Sequence, residues 1–236
     1  MKIIAHRGAS GYAPENTLAA FKLALEQKCD GLEFDVQMTK DEEIIICHDY
    51  RVDRTTNGTG HIKDLTLSEL KTLDAGSWFD KKFTGEKIPT LEEVFEIVPP
   101  GILMNIEIKN LAKERRDIEQ KVVDLVLKHN RMDDVIISSF DHLSLKTVRE
   151  INKDIKIGFL IYSYLLEPWT YFKKCGIDAY SIHPAEEYLN EDFVLNAHKN
   201  NYKILCYTVN DKNTATTMDK MGVDAIISNY PDILAK

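Results

Sequence analysis

An apolar run, Ile3-Ile4-Ala5, delivers His6 and Arg7 into a turn that contains Gly8 and Gly11. His6 can exchange a proton near neutral pH, and Arg7 offers a planar fork of donors suited to an anionic oxygen. Taken alone, the pair is as well explained by two incidental polar residues on a turn. Two later stretches change that balance. In Gly31–Gln37, Leu32, Phe34 and Val36 alternate with Glu33, Asp35 and Gln37; in Ile102–Lys109, Asn105, Glu107 and Lys109 share one face opposite Met104, Ile106 and Ile108. A further apolar run, Ile44-Ile45-Ile46-Cys47, leads to His48. Glu33, Asp35 and Glu107 together make an oxygen-rich set for a hard cation, Mg²⁺ or Ca²⁺, and the lack of a His/Cys cluster argues against structural zinc. Two histidines, His6 and His48, stand ready as acid and base, with Arg7 and Lys109 as positive charge. Such a set suits cleavage of a phosphate ester. Each carboxylate alone is more simply a salt-bridged or solvated residue, and His48 alone a surface histidine; the joint placement carries the functional reading.

These residues meet only if strands bring them to a common end. The patterning predicts strands at Lys2–His6, Gly31–Gln37, Ile102–Lys109, Val135–Ser139, Ile155–Ile161, Ala179–Ile182, Lys203–Val209 and Ala225–Ser228. Helices alternate with them: Glu15–Glu26, one from Thr90, Asp117–Lys128, Leu143–Ile151, Pro168–Cys175, Glu191–Lys199, Lys212–Met221, and a short one from Pro231. Eight β/α units with right-handed crossovers in 236 residues favour a closed TIM (β/α)8 barrel over an open doubly wound sheet. The apolar strand faces then look outward to the helices, and the carboxylates look into the barrel near its mouth. Charges there are costly unless a cation or hydrogen bonds compensate them. Glu43–Asp49 is expected to fold back over the second strand through the turn Thr39–Glu42, carrying His48 to the mouth. The polar stretch Tyr50–Lys87 reads as a small insertion with one helix, Leu67–Leu73, introduced by Thr66 and Glu69. It is not a phosphate-cradling P-loop, because no Gly-Lys-Ser/Thr occurs in it. With no shift of composition along the chain, residues 1–236 are expected to form a single domain, the insertion occupying about 50–87.

The net charge of −8 and pI of about 5.4 argue against nonspecific nucleic-acid binding. They leave room for an anionic substrate, since a local metal or arginine reverses the field. No apolar run reaches the ~20 residues of a membrane-spanning helix, and the position of His6 leaves no space for a leader, so stable membrane insertion is not expected. Cys29, Cys47, Cys175 and Cys206 are scattered, as reduced thiols in a cytoplasmic protein would be. A homo-oligomer is compatible with the sequence.

Extended motifs tie these readings together: His6-Arg7-Gly8 with Pro14-Glu15-Asn16-Thr17, Glu33-Phe34-Asp35-Val36, His48-Asp49, Asp53-Arg54-Thr55-Thr56-Asn57-Gly58, Ile88-Pro89-Thr90-Leu91, Glu107-Ile108-Lys109, Tyr207-Thr208-Val209-Asn210 and Asn229-Tyr230-Pro231-Asp232. Across nearly its whole length the sequence resembles the glycerophosphodiester phosphodiesterases, especially the short cytoplasmic bacterial type. The resemblance implies a TIM barrel with a small insertion after strand two. It also implies a divalent cation on Glu33, Asp35 and Glu107, Arg7 and Lys109 near the phosphate, and His6 and His48 as the acid–base pair. The implied products are sn-glycerol 3-phosphate and an alcohol such as choline or ethanolamine. Tyr207 stands where the family often has tryptophan; it either walls the substrate pocket or packs the barrel. Glu15 and the metal-site carboxylates are candidates to bind glycerol hydroxyls. His6 is assigned as base and His48 as acid, with water or the glycerol 2-hydroxyl as nucleophile.

Two other readings fit the same residues. A lysophospholipase D would want a greasy rim, for which Trp78-Phe79, Phe83 and Tyr164-Leu165-Leu166 are candidates; an inactive barrel would bind the diester without releasing product. His183 reads as a loop histidine that could line the pocket, and Phe140 as packing against the insertion or the glycerol.

Overall fold

The computed structural model describes residues 1–110 and 116–234. Eight parallel strands close on themselves: β1 (Lys2–His6), β2 (Gly31–Met38), β4 (Leu103–Ile108), β5 (Val135–Ser139), β6 (Lys156–Ile161), β7 (Ser181–Pro184), β8 (Lys203–Cys206) and β9 (Ala225–Ser228). They run in the order β1-β9-β8-β7-β6-β5-β4-β2, and pairing of β1 with β2 completes the ring. Among the described residues, seven helices lie between the barrel strands: α1 (Leu18–Glu26), α3 (Leu91–Ile97), α4 (Ile118–Lys128), α5 (His142–Ile151), α6 (Pro168–Lys174), α7 (Glu191–Lys199) and α8 (Lys212–Lys220). This is a TIM barrel. Among the described residues, no helix is long and apolar enough to cross a membrane.

The alternation in β2 works as its period requires. Leu32, Phe34 and Val36 enter the main core between barrel and helices, where Phe34 meets Phe21 of α1 at 5.5 Å between ring centres. The inward faces fill differently. Ile4, Ile136, Leu205, Ala225 and Ile227 form a separate apolar plug, and the polar inward residues lie beside it, toward the C-terminal strand ends.

Several boundaries move. Helix α1 starts at Leu18 rather than Glu15, because the chain is still turning there: Asn16 has φ +58° and its N–H bonds Arg7 O, while Thr17 caps the helix through Ala20 N. Glu15 is thereby left on the loop. Strand β7 begins at Ser181, two residues after the expected start. Strand β8 ends at Cys206, although Tyr207 and Val209 still donate to Pro184 O and Ile227 O. Pro231–Leu234 form a turn in place of the expected final helix.

β3 (Ile44–Ile46) pairs antiparallel with the end of β2, in the register Val36↔Ile46 and Met38↔Ile44. Beyond it the inserted stretch has its own small core of Ile45, Cys47, Val52, Ile62, Leu70, Ala75 and Ile88. Its one α-helix, α2 (Leu67–Thr72), opens on a Thr66/Glu69 capping box, and a second capping box, Thr90/Glu93, opens α3.

Candidate active site

Parallel register builds the acidic wall. Asp35 on β2 pairs with Glu107 on β4, Glu33 with Asn105, and His6 on β1 with Glu33. Partners in a parallel ladder point to the same side, so all five side chains face the barrel interior. One oxygen from each of Glu33, Asp35 and Glu107 lies within 4.8 Å of the others, and all three residues are buried. Lys109, just past β4, places Nζ 2.6 Å from Glu107 Oε1 and 3.2 Å from Asp35 Oδ1.

Arg7 adopts φ +55°, a left-handed conformation uncommon outside glycine. Three contacts hold it. Its N–H donates to Glu33 O at 2.8 Å, its Nη1 to Glu15 Oε1 at 2.8 Å, and its Nε lies 3.4 Å from Asp35 Oδ2. Asn16 Nδ2 donates to the same Asp35 oxygen at 2.9 Å.

The electrostatics of this wall are unbalanced. Burial works to raise Asp35, but Lys109 and then Arg7 overcome it and hold the carboxyl well below its usual range. Burial, then the neighbouring Asp35 and Glu107, push Glu33 well above the carboxylate range. Glu107 is pushed up to about 7 by burial and then by Asp35. The two cations, Arg7 and Lys109, thus outweigh burial at Asp35 alone, and Glu33 and Glu107 hold protons more readily than free carboxyls. An all-oxygen donor set in that state could hold a hard divalent cation, whose charge would take the place of those protons.

The two histidines are oriented differently. His6 Nδ1 lies 2.6 Å from Asn229 Oδ1. An amide oxygen only accepts, so Nδ1 carries the proton and Nε2 keeps its lone pair, 3.9 Å from Glu33 Oε2. Burial and then Arg7 push His6 down to about 4, leaving it neutral near pH 7. His48 Nδ1 instead meets a carboxylate, Asp49 Oδ1, at 2.7 Å. Asp49 is held down to about 2 by its bond from Arg54 and then by His48. Burial lowers His48 as well, with Asp35 opposing. Gln37 Nε2 fixes this loop by donating to the carbonyls of Cys47 and Asp49, at 2.9 and 2.7 Å.

These groups surround a cavity of about 210 Å³. His6, Arg7, Glu33, His48, Asn105, Glu107 and Lys109 line it from β1, β2, β4 and the loop after β3. Leu160 of β6 and Ile227 of β9, with Phe140 just past β5 and Tyr207 and Thr208 just past β8, line the rest of it. Tyr207 donates to Ile161 O at 2.9 Å and packs edge-on to Phe140, 6.0 Å between ring centres.

Glu15 stands behind Arg7, outside the cavity lining, with its oxygens taken by Arg7 and Arg54. His183 is a strand residue, fully buried, with Nε2 2.8 Å from Ser181 Oγ, rather than a loop histidine. Within the insertion Phe79 packs edge-on against both Trp78 and Phe83. Asp49, Arg54, Asn16 and Asn229 acquire contacts that sequence reasoning left unassigned, although all four lie within the motifs.

The model of the glycerophosphoryl diester phosphodiesterase family matches residues 6–233. The chain is 46% identical to a glycerophosphodiester phosphodiesterase of Caldanaerobacter subterraneus subsp. tengcongensis over 233 residues, covering 98% of this chain and 95% of that one. Among solved structures it is similar to an Oleispira antarctica phosphodiesterase in complex with the product sn-glycerol-3-phosphate, with a TM-score of 0.92 and 32% identity over 98% of this chain and 94% of that one. It is also similar to a glycerophosphodiester phosphodiesterase from Agrobacterium tumefaciens, with a TM-score of 0.86 and 30% identity over 100% and 99% of the two chains. Matched from His6 almost to its last residues, the chain belongs to the glycerophosphoryl diester phosphodiesterase family.

Proposed function

We propose that this chain hydrolyses glycerophosphodiesters to sn-glycerol 3-phosphate and a free alcohol, working as one domain over residues 1–236. The observation that carries the reading is the convergence of Glu33, Asp35 and Glu107 on one point beside His6 and His48, around a single cavity. The product bound in the Oleispira relative agrees with a substrate of this class.

Glu33, Asp35 and Glu107 would hold the divalent cation, which when bound supplies Lewis-acid stabilisation of a phosphoryl oxygen. Arg7 and Lys109 share the developing negative charge; both are half-buried cations fixed by ion pairs, so they need little reorganisation during the reaction. His6, neutral and with Nε2 free of a proton, removes one from the attacking hydroxyl. His48, backed by Asp49, gives a proton to the departing alkoxide. Such transfers contribute about 10²–10⁴-fold. Tyr207 and Phe140 form an aromatic boundary of the cavity and keep bulk water from the reacting groups.

The test is a panel of glycerophosphodiesters assayed with and without added Mg²⁺ and Ca²⁺, with product identified as glycerol 3-phosphate. His6→Ala and His48→Ala are expected to fold normally and to lose turnover by at least about 10²-fold. Binding of the diester without product release would replace this reading by that of an inactive barrel.

A further inference from the structure

The cavity contains a polar group that the chemistry described so far does not use. Asn105 is 1% exposed, lines the cavity, and neither its Oδ1 nor its Nδ2 has a hydrogen-bond partner within the protein. Roughly nine in ten buried polar groups are paired, and an unpaired carboxamide forfeits donors and acceptors alike. Arg7, Lys109, Glu33 and Glu107 are already engaged with partners; the Asn105 amide awaits one.

Its place in the ladder narrows what that partner can be. Asn105 pairs with Glu33 on one side and with Ile136 on the other. Ile136 belongs to the apolar plug, as does Ile227, which also reaches the cavity. Asn105 therefore lies at the inner end, where the plug meets the carboxylates, two residues before Glu107 on the same strand face. A phosphoryl group held by Arg7 and Lys109 sits nearer the mouth. Of the two arms of a glycerophosphodiester, the uncharged polyol is the better suited to extend inward toward the plug of Ile136 and Ile227, since a choline or ethanolamine arm carries a charge that is costly to bury beside apolar side chains. A hydroxyl both donates and accepts, as a carboxamide does, whereas a phosphate oxygen only accepts.

We infer that Asn105 is a specificity-determining residue whose carboxamide hydrogen-bonds the terminal hydroxyl of the substrate's glycerol arm, seated inward with the leaving alcohol directed to the mouth. The inference rests on the proposed hydrolysis of glycerophosphodiesters and deepens it. It requires a free terminal hydroxyl on the glycerol and places no demand on the alcohol.

The experiment compares glycerophosphocholine with its 2-hydroxypropyl analogue, which lacks only the terminal hydroxyl and keeps the one beside the ester. Wild-type kcat/KM is expected to fall about 10- to 100-fold on the analogue. Asn105→Leu, close to it in shape, and Asn105→Ala are each expected to lower kcat/KM on glycerophosphocholine by a similar factor while changing analogue turnover less than about threefold, the signature of a coupled pair. Equal losses on both substrates would overturn the inference, since Asn105 would then act on the phosphate, the cation or the fold. Unchanged turnover of both would overturn it too, with an ordered water as the amide's partner. If neither variant folds, as judged by circular dichroism and thermal melting, the wild-type comparison decides, and equal turnover of the two esters refutes the assignment. A wild type that cleaves both esters equally refutes this inference alone; one that cleaves neither refutes the proposed reaction with it.

Discussion

Arg54 and Glu15 form a two-toothed ion pair, Nη1 to Oε2 and Nη2 to Oε1, each at 2.8 Å. It joins the inserted stretch to the loop after β1. The same Glu15 Oε1 accepts from Arg7 at 2.8 Å, and the same Arg54 donates through Nε to Asp49 Oδ2 at 2.7 Å. A single guanidinium thus braces both Arg7, through their shared partner Glu15, and the carboxylate behind His48. Arg54→Ala is expected to lower kcat/KM about tenfold or more while costing no more than ~1 kcal/mol of stability, because the pair is partly solvated. Arg54→Lys should restore little, since one ammonium cannot present two parallel donors to Glu15 and a third to Asp49. Steady-state kinetics with a thermal melt for each variant checks both statements; wild-type kcat/KM in Arg54→Ala would show the brace to be dispensable.

The Asp49 carboxylate favours the imidazolium form of His48. If His48 is the acid, activity is lost as pH rises through its pKa. Asp49→Asn removes the charge that supports the protonated form, lowers that pKa, and should move the alkaline limb of the kcat/KM profile to lower pH by about one unit, or about 1.4 kcal/mol. An alkaline limb that stays in place would assign the acid elsewhere. On the stability side the sign runs the other way for Asp49 itself. Its folded pKa of about 2 lies below the usual carboxylate value. Its contribution is therefore present above the unfolded pKa and lost as pH falls toward 2, so Asp49→Asn should flatten acid denaturation at that end.

Glu107 at about 7 and Glu33 well above its ordinary range mean that the carboxylate cluster binds protons at mildly acidic pH. A cation has to displace them. Divalent-ion affinity of the chelator-stripped protein is therefore expected to weaken as pH drops below about 7, by up to tenfold per unit for each proton displaced. Calorimetric titration at pH 6, in buffers of different ionisation heat, should report proton release on binding. Glu107→Gln should weaken the ion by about 10²-fold or more. Binding with no proton release at that pH would mean the three carboxyls are not the ligands.

The acidic wall is legible in the sequence because a strand's period of two sorts Glu33 and Asp35 from Leu32 and Phe34 without knowledge of the fold, and the β/α rhythm then brings β2 and β4 together. The partners that tune the site are not legible this way. Asn229 reaches His6 across 223 positions and Arg54 reaches Glu15 across 39, and neither pairing leaves a local pattern. Asn105 shares a face with Glu107 in the sequence, but that its amide lacks a partner depends on β5 presenting Ile136 beside it. The insertion reads as polar and irregular because Val52, Ile62, Leu70 and Ile88 have no common period, yet they pack on Ile45 and Cys47 as one core. The start of α1 is misread for a local reason: Glu15 and Asn16 look like a first helical turn, while the positive φ of Asn16 is imposed by its bond to Arg7.

The loop after β6 is the remaining place where the choice of substrate is open to experiment. Tyr162, Tyr164 and Leu166 are 63%, 53% and 86% exposed there, at the end of the barrel formed by the C-terminal strand ends. An acyl chain would find apolar contact on that loop, the arrangement a lysophospholipase D would use. The cavity itself, about 210 Å³, is lined by charged and polar groups on one side, so it offers an acyl chain no continuous apolar wall. A chain esterified to the terminal glycerol oxygen would also occupy the position facing Asn105. Glycerophosphocholine is therefore expected to exceed 1-acyl lysophosphatidylcholine in kcat/KM by about 10²-fold or more, and Leu166→Ser to leave both unchanged within twofold. Faster turnover of the acylated substrate, with a KM that rises in Leu166→Ser, would reverse the assignment and make the β6 loop the site of acyl-chain binding.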